Sequence, residues 1–278
     1  MLRQAICNEV YQDWKFHEAC KSIRSIGYTG IEIAPFTLSE TPAAIPQNER
    51  RQFRSIIESE GLLFVGLHWL MIAPKGLHVT TPDRVLREKS WRHIFDLIDL
   101  CADLGPNGIL VFGSPRQRST TGGSTVEEAT ARFKDGIASV ASHALERQVT
   151  ILVEALPSVQ SDVVNTLEAA AAIVKEIDSP AVRTMFDTHN AADETEPHAV
   201  VLERYYSLIR HVHINEMDGR HPGTGNYDFK PLFETLERLE YRRWVSLEAF
   251  DFSYGAETIA HDSLRHVEAE AARILERR

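Results

Sequence analysis

TILVE (150–154), RTMFD (183–187), RHVHI (210–214) and WVSLE (244–248) are four short runs of β-branched and aliphatic residues, each with an acidic residue or a histidine at or next to its end. Four more runs of the same kind lie upstream: QAICN (4–8), GIEIA (30–34), LFVGLH (63–68) and GILVFG (108–113). Between them lie longer segments of helical periodicity. In KFHEACKSIRSIG (15–27), Ala19, Ile23 and Ile26 recur at helical spacing and Gly27 is a stop; NERRQFRSIIESEG (48–61) ends in Gly61 in the same way. Strands that alternate with helices form βαβ units and a parallel sheet. Eight such units in 278 residues predict an α/β chain folded as a (β/α)8 TIM barrel, a fold whose typical size is about 250 residues. An open doubly wound sheet is the alternative, but its dinucleotide-binding version needs a Gly-rich first turn that this chain lacks.

No linker rich in Pro, Gly or Ser divides the chain, so residues 1–278 are expected to form a single barrel domain. GSPRQRSTTGGS (113–124) and NEMDGRHPGTGNY (215–227) read as the longest insertions. Both follow strands, which in a barrel puts them on the catalytic face.

Composition narrows the class. A hydrophobic fraction of 43% and a charged fraction of 25% are those of an ordinary globular protein. A chain of this length buries a large core without staples, so a metal here would serve chemistry rather than folding. The net charge of −10 argues against a nucleic-acid partner. Cys7, Cys20 and Cys101 are far apart and read as reduced, buried thiols. The first residues, MLRQAICNEV, are too polar for a signal peptide, and no apolar run approaches the length of a membrane span. The expected location is cytoplasmic.

In a parallel barrel all strand C-termini open on one face, so Glu154, Asp187, His213 and Glu248 would converge there. Period-two alternation supports this. If Glu154 points inward, Ile151 and Val153 face the outer helices, and the same holds for Asp187 with Phe186, His213 with Val212 and Ile214, and Glu248 with Val245 and Leu247. Any one of these residues alone would read as a cap or a packed histidine. Four together are harder to explain that way, because buried carboxylates cost several kcal/mol unless paired or metal-bound. Three carboxylates and an imidazole suit Mn²⁺, Mg²⁺ or Co²⁺ and also accept Zn²⁺.

VEALPSVQSDVVNT (153–166), MFDTHN (185–190), HVHINEMDGRHPGTG (211–225) and SLEAF (246–250) resemble the four motifs of the xylose isomerase-like TIM-barrel superfamily. Within it the chain is most similar to the D-tagatose 3-epimerase-like sugar epimerases and the inosose-pathway isomerases. The resemblance implies one divalent metal, usually Mn²⁺, held by Glu154, Asp187, His213 and Glu248, with Glu154 and Glu248 also acting as acid and base. It implies a sugar isomerase or epimerase that transfers a proton through a metal-stabilised enediolate. The chain departs from the pattern in three places. Where the family has a substrate-binding histidine stands Asn190, with His189 one residue earlier. Gln160 occupies the position of a glutamate common in the epimerases. The segment from His213 to Arg220, the counterpart of the family's substrate-binding arginine, is one residue longer.

Substrate contacts are therefore expected from His189, Gln160 and Arg220. His68 and Trp69 at the end of the third strand, Glu32 in the second and Arg116 in GSPRQR are further candidates, and Arg118 beside it is a second arginine for an anionic group. His211 lies one layer deeper than His213 and reads as core. The expected partner is a small sugar, ketose or polyol derivative, with no nucleic acid or membrane, and with a homo-oligomer left open. The same groups would serve an inosose dehydratase-like lyase. An endonuclease IV-like enzyme would need further histidines and an aspartate, and the fourth strand ends in Phe112-Gly113 instead. A non-catalytic metal or sugar binder is the remaining alternative.

Overall fold

Eight strands pair in parallel in chain order, and the first closes on the last: β1 (Arg3–Cys7), β2 (Gly30–Ile33), β3 (Leu63–Leu67), β4 (Ile109–Phe112), β5 (Thr150–Val153), β6 (Val182–Asp187), β7 (Ile209–Ile214) and β8 (Trp244–Leu247). The computed structural model describes residues 2–275. All eight strands expected from the sequence are present, with ends shifted by a residue or so. One shift matters. Glu154 and Glu248 lie just past the last residues of β5 and β8, whereas Asp187 and His213 lie within their strands.

The helices around the barrel are α1 (Phe16–Ile26), α2 (Gln47–Ser59), α3 (Arg84–Leu104), α4 (Pro115–Arg118), α5 (Val126–Glu146), α6 (Leu167–Ile177), α7 (His198–Tyr205), α8 (Lys230–Arg238) and α9 (Ala256–Leu275). None of them is long and apolar enough to cross a membrane. Each strand buries both faces, which is why the strands read as nearly continuous apolar runs. The outward set (Ile151, Val153 and Leu247 among others) packs under the helices. The inward set (Ala5, Val65, Ile109, Val111, Leu152 and Met185) fills the lower barrel. Each fully buried aliphatic or aromatic side chain contributes roughly 1.5–3 kcal/mol. Trp244 packs against this inner cluster, with the Arg3 guanidinium 4.0 Å above its ring.

The connections on the strand-end side differ from the sequence expectation in one respect. The segment after β3, residues 68–83, is longer than the two insertions named above, and its aliphatic residues (Leu70, Met71, Leu77, Val79) disguise it. They are buried in the core under the helices, so the segment is a packed structure rather than a polar loop. It is stitched to the segment after β4: the Val79 N–H donates to the Gln117 carbonyl at 2.8 Å, and the Thr80 hydroxyl to the Arg118 carbonyl at 3.0 Å.

α5 opens with a capping box, in which Thr125 and Glu128 exchange side-chain-to-backbone hydrogen bonds. In mid-helix stands Gly136, at a position where glycine costs about 1 kcal/mol relative to alanine. The cause is Trp91 of α3. A Cβ on Gly136 would lie 1.8 Å from the indole Cε2, and the indole also packs against Phe112 of β4 and Phe133 of α5 itself. Gly136→Ala is therefore expected to destabilise the protein by more than about 2 kcal/mol in denaturant unfolding, despite its better helix propensity. Unchanged or raised stability would mean that the indole has room to move.

Candidate active site at the barrel mouth

Four consecutive strands, β5 to β8, deliver Glu154, Asp187, His213 and Glu248 to one point. All four are buried, and one ligand-type atom from each lies within 4.8 Å of the others. His213 Nδ1 is 3.1 Å from Glu248 Oε2 and 3.6 Å from Asp187 Oδ2. The Asn190 side-chain amide donates to Glu154 Oε1 at 2.9 Å, and its backbone N–H donates to Asp187 Oδ1 at 2.8 Å. Asp187 Oδ2 is buried with no hydrogen-bond donor. A cluster of three carboxylates and one imidazole, with an orphaned carboxylate oxygen facing inward, has the donor set and the excess negative charge that suit one divalent cation.

Room for Glu154 comes from a missing side chain. At the end of β4 stands Gly113, where a Cβ would lie 2.1 Å from Glu154 Oε2. The strand that would have to supply a further histidine for a multi-metal centre instead supplies empty volume for a carboxylate.

Crowding sets the protonation of the group. Burial, then the charges of Glu248 and Asp187, push the Glu154 carboxyl up to about 8. Burial also raises Glu248, against the pull of His213. Burial acts upward on Asp187 too, but the neighbouring His213 ring and the Asn190 N–H bring it below the usual carboxylate range. Burial alone would make His213 a weaker base. The surrounding charges, Glu32 first, hold it well above the ordinary histidine range.

Two residues expected to touch substrate are placed elsewhere. Glu32 is fully buried below the cluster, where His211, His213 and Ser246 occupy its oxygens. His68 is also fully buried, and its Nε2 lies 2.7 Å from a carboxylate oxygen of Glu9. Neither side chain has a surface left for a sugar. Both belong to a floor of alternating carboxylates and imidazoles under the mouth.

At the rim, Trp69 is half-buried, but its ring faces are not free. Phe36 and Phe250 stack on it with centroids at 6.0 and 5.9 Å, and its indole N–H donates to Glu248 Oε1 at 2.8 Å. Trp69 therefore holds a glutamate of the cluster from the rim. His189 Nε2 lies 3.2 Å from the Gln160 amide nitrogen, and its Nδ1 lies 2.8 Å from the Met217 carbonyl. These two substrate candidates thus share one part of the rim. Arg220 sits on the segment after β7, its guanidinium 2.7 Å from Asp218. Arg116 is exposed on α4, with no ion pair to a described residue.

Arg118, two residues on, is fully buried and is not available to an anion. Its guanidinium donates to the carbonyls of Phe112 (3.0 Å), Glu154 (2.7 Å) and Val164 (3.3 Å), and so ties the ends of β4 and β5 together. The sequence reading gave no role to Glu9, Glu216 or the amide of Asn190. Glu216 is buried and accepts the backbone N–H groups of Gly223 (2.9 Å) and Tyr227 (3.0 Å), which shapes the segment after β7. Glu9 lies on the 3-10 turn (Asn8–Tyr11) that follows β1, where period-two counting no longer applies, so no strand signal marked it.

Residues 20–270 match the family model described as xylose isomerase-like TIM barrel. Among curated proteins, the chain is 23% identical over 229 residues to a probable ketose 3-epimerase of Synechocystis, covering 81% of this chain and 75% of that protein. It is 30% identical over 124 residues to a ketose 3-epimerase of Arthrobacter globiformis, covering 44% and 43% of the two chains. Among solved structures, an Escherichia coli 3-keto-D-glucoside 4-epimerase superposes with a TM-score of 0.83 at 20% identity, over 97% of this chain and 100% of that one. An AP endonuclease family 2 protein of Brucella melitensis superposes with a TM-score of 0.76 at 20% identity, over 96% and 99%. At these identities the structural likenesses speak for the fold alone.

The buried guanidinium yields a test of the site's frame. Arg118→Met keeps the volume but leaves the Glu154 carbonyl without a donor, at about 1–3 kcal/mol for a buried unsatisfied group, while the Phe112 and Val164 carbonyls keep the backbone N–H groups of Glu154 and Leu156. Chemical denaturation is expected to show a loss of about 1–3 kcal/mol. A variant as stable as the parent would show that water or a shifted loop replaces these bonds.

Proposed function

The chain belongs to the xylose isomerase-like TIM barrel family, and we propose that it is a divalent-metal-dependent sugar isomerase or epimerase. The observation that carries this reading is the convergence of Glu154, Asp187, His213 and Glu248 within 4.8 Å at the barrel mouth. Relatives named as ketose 3-epimerases support the reaction class. Mn²⁺ is the first choice of ion, with Mg²⁺, Co²⁺ or Zn²⁺ as alternatives that the same donors accept. A bound ion would supply the positive charge that makes a carbon-bound proton beside a substrate carbonyl acidic enough to remove.

The rest of the work falls to the side chains. In strand order, Glu154 and Glu248 are the outer pair of the four, flanking Asp187 and His213. One glutamate takes the proton from the carbon next to the carbonyl, and the other returns a proton to the opposite face, which gives an epimer. If one glutamate carries the proton between adjacent carbons, the product is the aldose–ketose isomer. A carboxylate at the mouth can accept the carbon-bound proton and give it back as a carboxylic acid, which is what this role asks of Glu154. Trp69 fixes the other carboxylate by donating to Glu248 Oε1. His189, Gln160 and Arg220 are the rim groups assigned to the sugar hydroxyls. A dehydratase-like elimination would use the same base, and a 108-residue likeness at 28% identity to an inosose dehydratase of Geobacillus thermodenitrificans keeps it as the second reading.

Turnover in D₂O tests the mechanism. With ketoses as substrates and the ion-loaded protein, deuterium is expected on a carbon next to the carbonyl of the product. Glu154→Gln and Glu248→Gln should each lower the rate by roughly 10²–10⁴-fold, with ion content measured in the same samples. Loss of water from the substrate would select the dehydratase reading. Product free of deuterium would remove the two-base mechanism, and full activity in both variants would remove the assignment.

A further inference from the structure

Below the mouth lies a charge that contact with substrate does not explain. Glu32 of β2 is fully buried, and an isolated carboxylate there would cost several kcal/mol. It persists because three donors surround it. Ser246 Oγ and His211 Nε2 each lie 2.8 Å from Oε2, and His213 Nε2 lies 3.0 Å from Oε1. Ser246 and His211 hold Oε2 from β8 and β7, which leaves Oε1 aimed at the His213 ring. Behind it, the His68 ring comes within 3.7 Å of the same oxygen, and Glu9 in turn anchors His68 at 2.7 Å.

The consequence lies in which nitrogen of His213 faces which way. Nε2 is taken by Glu32, so Nδ1 is the nitrogen turned towards Glu248 and Asp187. Among the described residues, the other polar group beside Nε2 is the Cys7 thiol at 3.8 Å, a weak competitor for that N–H. An imidazole that ligates an ion is neutral and carries one proton, and a full carboxylate at 3.0 Å is the strongest acceptor available to it. With the proton on Nε2, the Nδ1 lone pair points at the other three mouth residues.

We infer that Glu32 is a positioning residue for His213, fixing the tautomer in which Nε2–H is donated inward and Nδ1 is offered to a divalent ion. This inference rests on the reading of Glu154, Asp187, His213 and Glu248 as an ion site. Carboxylates in this position raise the basicity of a ligating histidine, and their loss typically weakens metal affinity 10–100-fold.

Co²⁺ serves as the probe, because its visible absorption reports ligand geometry apart from activity. Titration of the full-length protein is expected to give one Co²⁺ per chain. Glu32→Gln should bind it 10–100-fold more weakly, with an altered absorption spectrum. Ser246→Ala removes one bond to Glu32 without touching His213, and should change affinity much less. Glu32→Gln with parental affinity and spectrum would overturn the inference while leaving the ion site in place. A parent protein that takes up no Co²⁺ would instead overturn the reading beneath it. A second measurement needs no variant: long-range ¹H–¹⁵N correlation of the histidine rings in the Zn²⁺-loaded parent. His213 protonated at Nε2 and ligated through Nδ1 is the expected pattern, and ligation through Nε2 would overturn the proposal even if Glu32→Gln failed to fold.

Discussion

Three carboxylates are held around one imidazole in a volume where their nearest atoms lie within 4.8 Å, and every neighbouring group answers to that crowding. Two like charges at this separation repel by on the order of 3 kcal/mol at an effective dielectric near 20, and burial removes the water that would soften it further. A fold of ordinary stability, about 5–15 kcal/mol, carries such a cluster only with compensation close by. Asn190 donates to two of the carboxylates, Trp69 to the third, and the His213 ring lies between Asp187 and Glu248. Gly113 contributes by having no side chain.

The barrel interior is accordingly built in layers of different chemistry. Its lower part is apolar, with Leu152, Met185, Val65 and Val111 packed together. Its middle is the floor of Glu9, Glu32, His68 and His211, where acids and imidazoles neutralise one another. The mouth carries the acidic excess. The floor pairs acids with imidazoles but leaves Glu9 Oε1, His68 Nδ1 and His211 Nδ1 without partners, and at the mouth Asp187 Oδ2 is likewise orphaned. The difference lies in charge: three carboxylates gather around one imidazole at the mouth, which makes that layer the one suited to a cation. It also explains why two buried histidines of the same barrel, His68 and His213, serve different ends.

Much of this was legible in the sequence, and the reason is periodicity. Strand alternation puts Glu154, Asp187, His213 and Glu248 on the inner face, and parallel strands must end on the same side, so their convergence follows without coordinates. What periodicity cannot convey is which inner residues meet across the barrel. The Trp69–Glu248, Glu32–Ser246 and Cys7–His213 contacts join residues more than 170 positions apart, and they exist only because β1 closes on β8. Glu32 and His68 therefore looked like substrate residues when read by strand position alone. Arg118 misled for a related reason: a loop arginine reads as solvated or anion-binding, and only the fold shows three carbonyls converging on it. The segment 68–83 escaped notice as an insertion because its buried aliphatic residues resemble core.

The account's central claim is that the mouth residues form one ion site. Diffraction from crystals soaked in Mn²⁺, recorded where manganese scatters anomalously, tests it most directly. The account predicts a single anomalous peak per chain, within bonding distance of carboxylate oxygens from Glu154, Asp187 and Glu248 and of His213 Nδ1. A mouth without a peak, or a cluster of two or three ions reaching towards His68, would contradict it.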